Sequence, residues 1–118
     1  MVNLGMKTMI EKNLGEIEAK IRDADTVSEE RKRELLQLLG TLKSEVCKLE
    51  PTHAEQAESI AGFAQLSTHE AMRANQNPQS LHHSLQGLRS SAAGFENSHP
   101  KLVQVVNAIS NLLSNLGI

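Results

Sequence analysis

Apolar residues recur at alternating spacings of three and four along nearly the whole chain, and no stretch alternates strictly between apolar and polar. That period places side chains on one face of a helix and excludes a half-buried strand, so the fold class is all-α. The core must also be aliphatic. The 118 residues include 16 Leu but two Phe and neither Trp nor Tyr, so no large aromatic is available to fill a wide interior.

Five helices follow from the pattern. The first spans about Leu4 to Arg22, with Ile10, Leu14, Ile17 and Ile21 on one face. Glu16 with Lys20 and Glu18 with Arg22 stand four apart in the favourable order on the other. Thr26 with Glu29 forms the pattern of a capping box for the second helix, whose Leu35, Leu39, Leu42, Val46 and Leu49 repeat with the 3.5-residue period of a coiled coil. Pro51 stops it, which predicts a rod of roughly 35 Å. Thr52 with Glu55 predicts another capping box, opening a weaker helix from about His53 to Ala74. Its apolar face is mostly alanine, so little area is available for burial. Asn77 and Pro78 have the order of a cap and first turn. Leu81, Leu85, Leu88, Ala92 and Phe95 then line the fourth helix. Pro100 opens the fifth with His99 as its cap, Leu102, Val105, Ile109, Leu112 and Leu116 line it, and Gly117 ends it. The expectation is two αα-hairpins joined by a weaker middle helix in one elongated bundle.

Charge divides the chain more sharply than secondary structure does. Residues 1–50 carry nine Lys or Arg and ten Asp or Glu, whereas residues 51–118 carry three and four. This separates a charged hairpin (1–50), a low-charge middle (51–77) and a low-charge hairpin (78–118) within one structural unit. From Leu102 to Ile118 no side chain is charged. That stretch is shorter than the roughly 20 apolar residues of a membrane span, and Gln104, Asn107, Asn111 and Ser114 form a polar stripe along it. A freely solvated helix normally carries Lys and Glu on its outer face. An amide stripe beside a wide aliphatic face therefore points to a second contact, most economically with another copy. The expected self-association seam comprises Leu81, Leu85, Leu88 and Phe95 on the fourth helix with Leu102, Val105, Ile109, Leu112 and Leu116 on the fifth.

The run FENSHPKL from Phe95 to Leu102, the closing LLSNLGI from Leu112 to Ile118, and TVSEERKRELLQLL from Thr26 to Leu39 resemble the motifs of a bacterial family known as domain of unknown function 4404. The resemblance covers the first hairpin and about the last forty residues. It implies a small helical bacterial protein, and it brings no catalytic residue with it.

The residues themselves exclude most chemistry. A net charge of −2 without a basic face does not suit nucleic acid, and no Tyr or Trp is present to stack on bases. Two Glu-x-x-His strings occur, Glu50 with His53 and Glu96 with His99, the unit that di-iron bundles use in pairs. Pro51 interrupts the first and Pro100 follows the second, so both lie at helix ends, where capping is the better role. His82 and His83 are adjacent and point about 100° apart on a helix; at a copy–copy contact they would make association pH-dependent. His69 lacks a second histidine one turn away. The only Asp residues, Asp23 and Asp25, lie in a turn, and no nucleophile elbow exists. Cys47 sits on an aliphatic flank, and as the only cysteine it allows no internal disulfide and suits a reducing compartment. Gly40 with Lys43 lacks a phosphate-binding loop.

The amino terminus lacks a signal-peptide layout, so a cytoplasmic location is expected. The first helix holds too many Glu residues for a cationic membrane-surface helix. Neither a catalytic constellation, nor a cofactor motif, nor a metal set is legible. The expectation is a non-enzymatic module that binds itself or another helical protein, and not nucleic acid or membrane. The alternative is a bundle that holds a small ligand or metal through its histidines.

Overall fold

The computed structural model describes residues 4–116. Five helices form: α1 (Leu4–Arg22), α2 (Glu29–Cys47), α3 (Ala54–Ala71), α4 (Pro78–Ala92) and α5 (Pro100–Leu116). Single 3₁₀ turns at Pro51–His53 and Ala93–Phe95 precede α3 and follow α4. The described residues hold no strand.

Local chemistry sets the ends. Asn77 is extended, and its side-chain oxygen accepts from the backbone N–H groups of Gln79 and Ser80 at 3.1 and 3.2 Å, so α4 starts as its sequence demands. The His99 carbonyl accepts the first bonds of α5, from Leu102 and Val103, and Pro100 takes the first helical position, where its missing N–H costs nothing. Gly117 lies outside the described residues.

Both capping boxes fail, for identifiable reasons. Val27 is buried in the turn that follows Thr26, and the extended Ser28 takes the cap by accepting from the Arg31 N–H at 3.2 Å. Pro51 requires an extended Glu50 (φ −70°, ψ 155°) and itself begins the 3₁₀ turn. Thr52 is therefore inside a turn, not at a cap, and His53 precedes α3 without a side-chain capping bond. Helix α2 is correspondingly shorter than the rod expected, at 19 residues or about 28 Å, although Leu49 beyond it is still fully buried.

The helices close a ring in the order α1, α2, α5, α4, α3 and back to α1, with a lesser contact between α3 and α5 across it. One cluster of buried aliphatic residues from all five fills the centre. The radius of gyration is 13.4 Å, against about 13.5 Å for a compact chain of this length. The extents of 38 × 23 × 20 Å make the bundle only moderately elongated.

The middle helix packs more extensively than its composition suggests. Its closest partner is α4, and Ala57, Ala61 and Ala64 of its apolar face are all buried. A Cβ built on Gly87 of α4 would overlap the Phe63 ring of α3, so the bare backbone at Gly87 is what seats that ring.

Candidate functional site

The nine residues of the aliphatic seam face inward. Leu81, Leu85, Leu88 and Phe95 are at most 5% exposed, Leu102, Val105, Ile109 and Leu112 at most 9%, and Leu116 is half-buried. They belong to the common core and meet the other helices of the same chain. Eight of the nine are buried without a second molecule, so a contact between folded copies has to use the outer faces.

Those outer faces are the polar stripes. On α5 the exposed residues Gln104, Asn107, Asn111 and Ser114 follow each other at three, four and three, opposite the buried Leu102, Val105, Ile109 and Leu112. On the adjacent α4 the exposed residues include Gln79, His82, His83 and Gln86. The rings of His82 and His83 lie 6.0 Å apart, so the two histidines share one exposed patch. Arg89 on α4 is half-buried, and the only charge of α5 is Lys101 in its first turn. Two neighbouring helices thus present a surface of carboxamides, hydroxyls and imidazoles.

The remaining faces carry charge. Lys43 of α2 bridges to Glu18 of α1 at 3.4 Å, and Arg22 reaches the same carboxylate at 3.6 Å. Toward α3, Gln65 donates to Glu16 at 3.2 Å, and Lys20 Nζ donates to His69 Nδ1 at 2.7 Å. A donor at Nδ1 leaves the His69 proton on Nε2. Cys47 is half-buried. Burial, aided by Glu11, pushes its thiol up, with Lys7 and Lys43 opposing. The sulfur is thereby kept protonated, the reverse of what a nucleophile requires.

The two Glu-x-x-His strings come together at one end of the bundle, around Phe95. The His53 ring meets it edge-on at 5.1 Å and 84°, and the His99 ring at 5.7 Å and 75°. Glu50 and Glu96 are exposed. Among the described residues, no group of three His, Cys, Asp or Glu side chains is placed to hold a metal ion. The imidazoles pack on a phenyl ring instead. His53 Nδ1 is buried with no hydrogen-bond partner, a state that costs about 1–3 kcal/mol. His53 also borders a cleft of about 460 Å³ between the start of α3 and the end of α4. Sequence reasoning missed this cleft, and the only hint was the Ser90, Ser91 and Gly94 cluster interrupting an aliphatic stripe.

Residues 35–118 match the family described as Domain of unknown function (DUF4404). The chain belongs to that family. The DUF4404 match starts within α2 and runs unbroken through the middle helix, so α1 and most of the Thr26–Leu39 segment lie outside it. It therefore includes both amide-bearing helices, the cleft and the Phe63–Gly87 contact. No curated protein and no solved structure matches the chain. No described helix is long and apolar enough to cross a membrane.

Proposed function

We propose that this DUF4404 protein is a non-enzymatic helical association module, and that the uncharged outer face of α4 and α5 docks a second copy of the chain. The observation that carries this reading is the exposed stripe Gln104, Asn107, Asn111 and Ser114 beside the exposed Gln79, His82, His83 and Gln86. Charged side chains are depleted where protein surfaces meet. A carboxamide both donates and accepts, so an amide face is complementary to itself. A face of lysines or glutamates would meet its own copy with like charges. A second copy is thus favoured over a partner of different chemistry, and a two-fold axis suffices. A stable contact needs about 800 Å² per partner, roughly an eighth of the chain's 6595 Å² surface. The lone Cys47 is in keeping with a reducing, cytoplasmic setting.

The test is solution mass by sedimentation equilibrium. The native chain is expected to form a dimer. The double variant Asn107→Lys, Asn111→Lys should be a monomer with an unchanged melting temperature, because both positions are exposed. A control, Gln37→Lys on the charged face of α2, should leave the dimer intact. A native chain that stays monomeric at all concentrations overturns the proposal, as does a dimer indifferent to the double variant.

A further inference from the structure

The cleft at the His53 end of the bundle adjoins the exposed face of α4 through Ser90, and its lining is chemically selective. Its volume of about 460 Å³ lies in the range of small-molecule sites. The side chains bordering it are mostly hydrogen-bonding: the Ser59, Ser90 and Ser91 hydroxyls, the Gln56 amide and the Glu55 carboxylate, with the His53 imidazole beside them. Phe95 is the one aromatic hydrocarbon in the lining.

Exclusion narrows the ligand. No Lys or Arg borders the cleft, and its one carboxylate repels anions, so a phosphate or carboxylate ligand has nothing to pair with. An apolar ligand would cover three hydroxyls and an amide without replacing their hydrogen bonds with water. A divalent cation lacks a donor set, since no described trio of His, Cys, Asp or Glu is placed to bind one. What matches hydroxyls, amide and imidazole is a molecule whose own groups donate and accept in turn. Ser91 already donates to the Leu88 carbonyl at 2.8 Å and so offers an acceptor, while Ser59 and Ser90 are exposed at the rim. We propose that this cleft binds a small neutral polyhydroxylated molecule, of monosaccharide or cyclitol size.

The experiment is a titration of the full chain with D-glucose and with myo-inositol at millimolar concentration, followed by backbone amide NMR shifts. Saturable shifts confined to residues 53–59 and 90–95 are expected with at least one probe. Gly94→Leu should abolish them: a Cβ at Gly94 meets nothing within 4 Å, so the added side chain can occupy the cleft with the core undisturbed. Ser90→Ala, at an exposed position, should weaken binding severalfold and serves if Gly94→Leu alters the circular dichroism. Failure of both probes to give saturable shifts overturns the proposal. So do shifts that persist in both Gly94→Leu and Ser90→Ala, or stronger binding of ethanolamine that Glu55→Gln removes. Light scattering on the same samples reads copy number separately, so failure of the cleft and failure of the α4–α5 face are told apart.

Discussion

The α1–α2 and α4–α5 hairpins bury the same kind of stripe and expose opposite kinds of surface. Inside, Ile10, Leu14 and Ile17 with Leu35, Leu39 and Leu42 are the counterparts of Leu81, Leu85 and Leu88 with Leu102, Val105 and Ile109, all within one core. Outside, the first pair is joined by Lys43–Glu18 and connected to α3 through Lys20–His69 and Gln65–Glu16. Within the second pair, no ion pair joins α4 to α5 among the described residues, and the amide stripes stay exposed. The contrast separates two tasks. Burial of aliphatic surface holds both hairpins, because exposed ion pairs are worth about 0–1 kcal/mol each. Surface chemistry instead separates what each hairpin presents: a mixed-charge face on α1 and α2, and an uncharged face of amides and imidazoles on α4 and α5.

The largest effect should come from attacking what the hairpins share. Ile109→Asp puts a carboxylate at a fully buried position with no cation in the aliphatic cluster to receive it. Losing the aliphatic contact alone costs about 2–5 kcal/mol, comparable with a small domain's whole stability. Leu39→Asp in α2, equally buried, should be as damaging. Loss of the helical circular-dichroism signal at room temperature in both variants checks the common core; survival of either would split it in two.

A smaller effect distinguishes the hairpins by their entry caps. Asn77 satisfies two backbone donors of α4, whereas Ser28 satisfies one of α2. Asn77→Ala should therefore cost about 1 kcal/mol or somewhat more, and Ser28→Ala less, within the usual range for caps. Urea midpoints order the two, and a larger loss at Ser28 would reverse the comparison.

The smallest effect probes the charged exterior. Glu18→Gln removes the shared partner of Lys43 and Arg22, contacts worth together about 1 kcal/mol or less. The deficit should shrink in molar salt, where screening acts within about 3 Å. A deficit that salt leaves unchanged would assign Glu18 a packing role.

Much of this was legible before folding was considered. The bounds of α1 and the Asn77–Pro78 start of α4 follow from period and cap chemistry, because both are local. The errors share a cause, which is that tertiary burial is not local. Thr26 has the spacing of a cap, yet Val27 turns inward and the start passes to Ser28. An alanine face looks weak when apolar area is counted, but Ala57, Ala61 and Ala64 are all buried, and the bare Gly87 of α4 seats the Phe63 ring of α3. Period also says which side chains are sheltered without saying by what. Leu81 to Leu112 of the aliphatic seam are buried by their own chain, and the Gln104 to Ser114 stripe stays exposed. The cleft was illegible because His53 and Ser90 come together only when α3 folds back onto α4.

The ring order has a consequence for how the polypeptide matures. Because α5 lies between α2 and α4, an emerging chain that ends before residue 100 has two leucine ridges with no roof. Such a fragment stays adhesive until α5 emerges to cover both ridges.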